Sequence, residues 1–355
     1  MSKYYVNPNI KDLYRVKFHD ERNHFLRLDM NENPEGIPEE IFREIMEKVT
    51  PSFLATYPEK DKLIELLAVH NEIKKEQISL TAGSDEAMRL IFQCFGQEGK
   101  TLLSVTPSFE MYSVYANMFG MNHVTVEYSD SFSVSVNDIC KQINQDTGIV
   151  VLLNPNSPIG TIYSGEDLCK VLDLARASGA IVVIDEAYYY FNEKTFMPLI
   201  DRYDNVLVLR TFSKLFSLAG LRIGYVSGNE QLIDYVEKAQ STFNVNNVAI
   251  LFATELIQRE DLICKLIDVE KEGHEWLLRQ LQGEGYKALS LKGNYILFYP
   301  NYPSNEIVEA MKQRGVLVRD YSKGILQGWI RISTGSIECM KKFWETYQGV
   351  INEME

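Results

Sequence analysis

Three short apolar runs in the middle of the chain constrain its fold most: IVVLL (149–153), AIVVI (180–184) and NVLVL (205–209). Each is rich in β-branched residues and carries no charge. Strands covered on both faces look like this, as in a parallel sheet held between helices. Between the first two lies GEDLCKVLDLARASG, where Leu168, Val171, Leu172 and Ala175 recur at helical spacing and Gly179 follows the end. Strand, helix and strand in that order make a β-α-β unit. Upstream, ISLTAG runs into the helical pattern SDEAMRLIFQCFG, and LLSV leads into SFEMYSVYANMFG. The spacing predicts a doubly wound α/β domain with a mainly parallel sheet over 45–245. Charged helical stretches follow (230–282). Then YILFY (295–299), NEIVEAMKQRG (305–315), VLVRD (316–320), WIRIS (329–333) and a closing helical pattern predict a smaller C-terminal α/β domain. Residues 1–44 are expected to join it, giving a second unit of 1–44 plus 246–355. A length of 355 residues suits two domains of about 150 residues each.

Charge and cysteine narrow the partners. Thirty-six Lys and Arg against 49 Asp and Glu leave a net charge of −13, which repels nucleic acid and anionic membranes. The longest apolar run is the six residues Val248–Ala253, whereas a spanning helix needs about 20. The N-terminus has no apolar core of a secretory signal. Five well-separated cysteines without a C-x-x-C pair read as free thiols in a reducing cytoplasm. The histidines at 19, 24, 70, 123 and 274 lack metal-ligand spacing, so no metal is expected.

In open α/β sheets, ligands bind beyond the carboxyl ends of the strands. After NVLVL comes RTFSKLFSLAGLRIGY (210–225), with Lys214 beside Ser213 and Arg222 eight residues on. A partly desolvated lysine near another cation is a candidate Schiff-base nucleophile, although a lone loop lysine is usually a solvated charge. After AIVVI comes DEAY, placing Asp185 where a buried carboxylate can face a protonated ring nitrogen, with Tyr188 able to donate to an oxygen. After ISLTAG, Ser84 and Asp85 open a helix whose free N–H groups suit a phosphate. Taken singly, each has a plain structural explanation as a cap or turn. Together they describe a phosphate cradle, a Schiff-base lysine, an acid and a phenol, the set that pyridoxal 5′-phosphate requires.

These motifs identify a resemblance over nearly the whole chain. LDMNENPEG (28–36), ATYP (55–58), TAGSDE (81–86), NPNSPIG (154–160), DEAY (185–188), SKLFSLAGLRIGY (213–225), GNYIL (293–297), VRD (318–320) and IRISTG (330–335) carry it. The chain resembles fold-type I pyridoxal-phosphate aminotransferases, within them the histidinol-phosphate aminotransferase-like branch. The resemblance implies that Lys214 forms the Schiff base and carries a proton, that Asp185 keeps the pyridine nitrogen protonated, and that Tyr188 bonds O3′. It implies that Ser213, Arg222 and the amides at Ser84 and Asp85 hold the phosphate, joined by Tyr57 from a second subunit. Phe109 should lie against the ring. Arg331 should hold the acidic group of the substrate, with Arg319, Tyr14 and Asn31 beside it; a planar guanidinium suits carboxylate or phosphate.

Two departures stand out. The family usually has Asn where Ser157 stands, sharing O3′ with the tyrosine; a serine there reaches O3′ only through water. The ring-stacking residue is commonly Tyr, and here it is Phe109, which keeps the stacking and loses a hydroxyl. The implied protein is a homodimeric transaminase working on histidinol phosphate or a related phosphorylated amine, with 2-oxoglutarate and glutamate as the second couple. A decarboxylase resembling those of threonine phosphate and an aromatic amino acid aminotransferase are the alternatives. A nicotinamide enzyme is disfavoured because no G-x-G-x-x-G follows a predicted strand.

Overall fold

The protein was analysed as a computed structural model that describes residues 4–14, 21–192 and 194–355; His19 lies outside them. Seven strands form the large sheet: β1 Ile78–Thr81, β2 Thr101–Thr106, β3 Asn122–Glu127, β4 Thr147–Leu153, β5 Ile181–Asp185, β6 Val206–Thr211 and β7 Gly224–Gly228. Their order across the sheet is β1-β7-β6-β5-β4-β2-β3. Only β7 runs antiparallel to its neighbours, so the sheet is mainly parallel, as the sequence predicts.

The three apolar runs supply the centre of this sheet, and their residues alternate between two cores. Val150, Leu152, Val182, Ile184, Val206 and Val208 enter the core on one face. Ile149, Val151, Leu153, Val183, Leu207 and Leu209 enter the core on the other. This two-sided burial is the physical reason the runs contain no polar residue after Asn205 at the start of the third. The helix Gly165–Ser178 buries Leu168, Val171, Leu172 and Ala175, is capped by the Ser164 hydroxyl and ends on Gly179 at φ +77°.

A four-stranded antiparallel sheet forms a second centre. Its strands are β8 Lys287–Leu289, β9 Tyr295–Tyr299, β10 Arg319–Asp320 and β11 Ile330–Ser333, in the order β10-β11-β9-β8. Ile296, Phe298, Ile330, Ile332, Phe343 and Tyr347 share its core with Leu28 from the N-terminal segment. Leu26–Arg27 pairs in parallel with Val316–Leu317, which ties that segment to this unit. The helix Asn247–Ile257 packs in the core of the large sheet instead.

Candidate active site

The C-terminal ends of the parallel strands deliver the chemistry. Asp185 is the last residue of β5 and is nearly fully buried. Its Oδ2 accepts from the Tyr112 hydroxyl at 2.9 Å and its Oδ1 from the Ala187 N–H at 3.1 Å. Burial pushes its carboxyl up to about 6, against the pull of those two bonds and the Lys214 charge. Burial and the neighbouring carboxylate hold the Tyr112 phenol well above its ordinary range, so Tyr112 remains a donor. A cationic ring nitrogen beside Asp185 would relieve the cost of an isolated buried carboxylate.

Lys214 follows the end of β6 by three residues. Its Nζ donates to the Met30 carbonyl at 3.0 Å and lies 5.5 Å from the centre of the Tyr188 ring. The Tyr188 hydroxyl accepts from Asn31 Nδ2 at 2.8 Å. Burial alone would raise the Tyr188 phenol; the charges of Lys214 and Arg331, with Ser157 and Asn31 beside the oxygen, hold it below the ordinary tyrosine range.

The phosphate cradle is built around Gly83, which precedes the helix Ser84–Phe95 at φ +84° without a side-chain cap. A Cβ on Gly83 would come within 2.5 Å of Arg222 Nη2, and one on Gly224 within 2.9 Å of the Ser84 nitrogen. Two glycines therefore let the guanidinium and the helix N-terminus close on one point. Ser213 Oγ accepts from Thr211 Oγ1 at 2.9 Å and from Arg222 Nη1 at 3.4 Å, which leaves its own proton for an anion. The Asp85 carboxylate turns away and accepts from Tyr115 at 2.8 Å, so its charge does not block the amides.

Arg331 lies on β11. Its Nη2 donates to the Asp29 carbonyl at 2.6 Å and its Nη1 to Ser157 Oγ at 3.3 Å, while its buried Nε has no partner among the described residues. Arg319 stands directly opposite on β10, yet it pairs with Glu110 at 2.9 Å. Phe109 packs edge-on against Tyr112, with ring centres 5.6 Å apart. Asn31, expected beside the substrate, instead aims its amide at Tyr188 and, at 3.3 Å, at Ser157. The structure thus brings Lys214, Asp185, Tyr188, Ser157, Asn31 and Arg331 together, and joins Ser213, Arg222, Ser84 and Gly83 beside them. Tyr57 and Tyr14 are not tied to this cluster among the described residues. Tyr57 is 75% exposed and stacks on Phe243 at 4.2 Å, and Tyr14 is exposed.

Sequence reasoning missed Tyr112, the carbonyls of Asp29 and Met30, and Tyr295, whose hydroxyl donates to the Asn156 carbonyl at 2.7 Å. Only Tyr112 left a signal. It follows Phe109 by three residues, across the turn that opens the next helix.

Comparison with known proteins agrees with this geometry. Residues 23–346 match the family of class I and II aminotransferases. The histidinol-phosphate aminotransferase of Caldanaerobacter subterraneus subsp. tengcongensis is 33% identical over 317 residues, covering 87% of this chain and 88% of its own. That of Clostridium botulinum (strain Okra / Type B1) is 30% identical with both chains fully covered. The crystal structure of histidinol-phosphate aminotransferase from Sinorhizobium meliloti in complex with pyridoxal-5′-phosphate superposes with a TM-score of 0.88 at 22% identity, over 100% of this chain and 99% of that one. The uncapped helix start, the two close-approach glycines and the buried acid fit a phosphorylated, cationic-ring cofactor. The chain belongs to the class I and II aminotransferases, and its cofactor is pyridoxal 5′-phosphate.

Proposed function

We propose that this aminotransferase takes an amino group from histidinol phosphate or a related phosphorylated amine, with 2-oxoglutarate and glutamate as the second couple. One observation carries the reading. Arg319 and Arg331 face each other on adjacent antiparallel strands, and Arg331 keeps a buried, unpartnered Nε. Like charges directly opposite are unfavourable until an anion sits between them. Phosphate and carboxylate both match a guanidinium fork. The names of the relatives point to the same substrate.

In this reading Lys214 is the nucleophile and then the group that carries a proton at the substrate's α-carbon. The bound cofactor supplies the electron sink for that carbon. Asp185 faces the ring nitrogen, and Tyr188 donates to the ring oxygen. The amides of Ser84 and Asp85, with Ser213 and Arg222, hold the phosphate, and Phe109 covers the ring. Arg331 binds the acidic group of the substrate, with Arg319 and Tyr14 at the mouth. Tyr57 completes the phosphate site of a second subunit. The exposed apolar surface at Leu54, Tyr57 and Phe243 supports a homodimer. We also assign the cofactor unit to 45–245 and the smaller unit to 1–44 plus 246–355, the helix Asn247–Ile257 serving as a bridge. No helix among the described residues is long and apolar enough to cross a membrane, and the five cysteines are free; both support a cytoplasmic enzyme.

A spectral screen tests the substrate. Histidinol phosphate and glutamate should each bleach the yellow absorbance of the purified holoenzyme and release a keto product. Lys214→Ala should show neither the absorbance nor the reaction. Release of CO2 from threonine phosphate without a keto product would replace this reading with a decarboxylase.

A further inference from the structure

The segment Asp29–Met30–Asn31 crosses the site and touches three of its groups in succession. The Asp29 carbonyl accepts from Arg331, the Met30 carbonyl from Lys214, and the Asn31 amide donates to Tyr188. Asn31 is 1% exposed and held at every polar atom. Its Nδ2 reaches Ser157 Oγ as well as Tyr188, its Oδ1 accepts from Ser333 Oγ at 3.3 Å, and its N–H donates to Ser333 Oγ at 2.8 Å. Its carbonyl accepts from Asn294 Nδ2 at 3.2 Å. Its φ of +54° lies in the left-handed region, where asparagine is among the few residues other than glycine that settle readily. Such a side chain cannot swivel to follow a ligand.

A phenol has one proton to give and lone pairs to receive. An amide N–H can only donate, so toward Asn31 the Tyr188 oxygen is the acceptor. Lys214 and Arg331 are donors as well. Ser157 Oγ receives both Asn31 and Arg331, so its own proton also points outward as a donor. The Tyr295 ring stands edge-on to Tyr188 at 5.4 Å, and its hydroxyl proton is spent on the Asn156 carbonyl. The Asp185 carboxylate is engaged by Tyr112 and the Ala187 amide. The groups that act on the Tyr188 oxygen are thus donors, Asn31 through a hydrogen bond and Lys214 and Arg331 through their charge.

We propose that Asn31 is a positioning residue: it fixes the Tyr188 hydroxyl with its oxygen toward the N-terminal segment and its proton toward the ring oxygen of the cofactor. The inference rests on the reading of Tyr188 given above.

The test uses two readouts. In the apo-protein, the Tyr188 phenol is titrated by ultraviolet difference between each protein and its Tyr188→Phe counterpart. Asn31→Ala should move the midpoint up by about half to one pH unit, because the phenolate loses a donor. Asn31→Asp, which keeps the acceptor for Ser333 and adds a negative charge, should move it further and covers the case of an alanine variant that does not fold. In the holoenzyme, the pH midpoint of the yellow absorbance should also rise, since weaker donation leaves the ring oxygen more basic. Adding Ser157→Asn to Asn31→Ala should return both midpoints toward wild type. Unmoved midpoints in both states, or an equal shift of the holoenzyme midpoint in the Tyr188→Phe background, would overturn the proposal. If Tyr188→Phe alone leaves the holoenzyme midpoint unmoved, the role of Tyr188 fails, and the apo titration still decides whether Asn31 donates to it.

Discussion

Two arginine–glutamate pairs flank this site, each closing at 2.9 Å, and they do opposite work. Arg210–Glu186 lies beneath the strand ends, with side chains 4% and 0% exposed. Its guanidinium also donates to Asn71 and Thr195 at 2.7 Å and sits 3.5 Å over the Tyr189 ring, while Glu186 accepts the Phe196 N–H at 2.6 Å. Arg319–Glu110 spans the mouth, with side chains 44% and 74% exposed and no such support among the described residues. Water screens the second pair and leaves it cheap to exchange for another anion; desolvation makes the first one costly to break. Equal distances say little about equal energies. The buried pair anchors the residues on either side of it, Asp185 next to Glu186 and the run from Arg210 to Lys214. The exposed pair holds Arg319 ready for a competitor.

The largest effect expected from this contrast is in the buried pair. Arg210→Met should cost about 3–5 kcal/mol in urea unfolding, because it strands the Glu186 charge. A loss below about 1 kcal/mol would show that the pair is not desolvated as described.

Asp185 comes next, since it shares the burial of Glu186 but has no guanidinium. Its folded pKa of about 6 exceeds the roughly 3.9 of an unfolded aspartate. The folded apo-protein therefore holds that proton more tightly. This contribution to stability is complete below about pH 4 and lost as the pH rises through about 6. Asp185→Asn should make the apo-protein more stable at pH 8 by roughly 2–3 kcal/mol, with little gain at pH 4, while cofactor-dependent turnover collapses. An apo-protein equally stable with either residue at pH 8 would mean that Asp185 is already compensated.

The smallest effect belongs to the mouth. Glu110→Gln should change stability by less than about 1 kcal/mol. It should lower KM for doubly acidic donors about two- to five-fold, leave neutral donors unchanged, and lose this preference in about 0.5 M salt. Equal changes for both donor classes would remove Glu110 from specificity.

Much of the floor of this site was legible in the sequence. Asp185 ends β5, Tyr188 and Lys214 each follow a strand end by three residues, and Arg222 lies in the loop between β6 and β7; the β-branched composition of β5 and β6 betrays them, so topology alone brings these residues together. The strands that escaped reading are informative. Asn122–Glu127 is an edge strand with only Val124 and Val126 apolar, Lys287–Leu289 is three residues long, and Gly224–Gly228 carries a glycine at each end. Glycine weakens a strand signal, yet Gly224 is small because the Ser84 amide comes so near. The upper half of the site was not legible for a different reason. Asn31 meets Ser157 across 126 residues and Ser333 across 302, and the contacts of Asp29 and Met30 use main-chain carbonyls that no residue type announces. Such pairings are set by how the two chain ends close over the large sheet.

That closure has a consequence for how the protein is made. Asp29–Asn31 is synthesised 263 to 302 residues before its partners Asn294, Arg331 and Ser333. A chain growing at about 5–20 residues per second therefore waits on the order of tens of seconds between the two. During that interval the sheet carrying Lys214 and Tyr188 can form while its roof cannot. The floor of the site is thus available to fold before the residues of its roof exist.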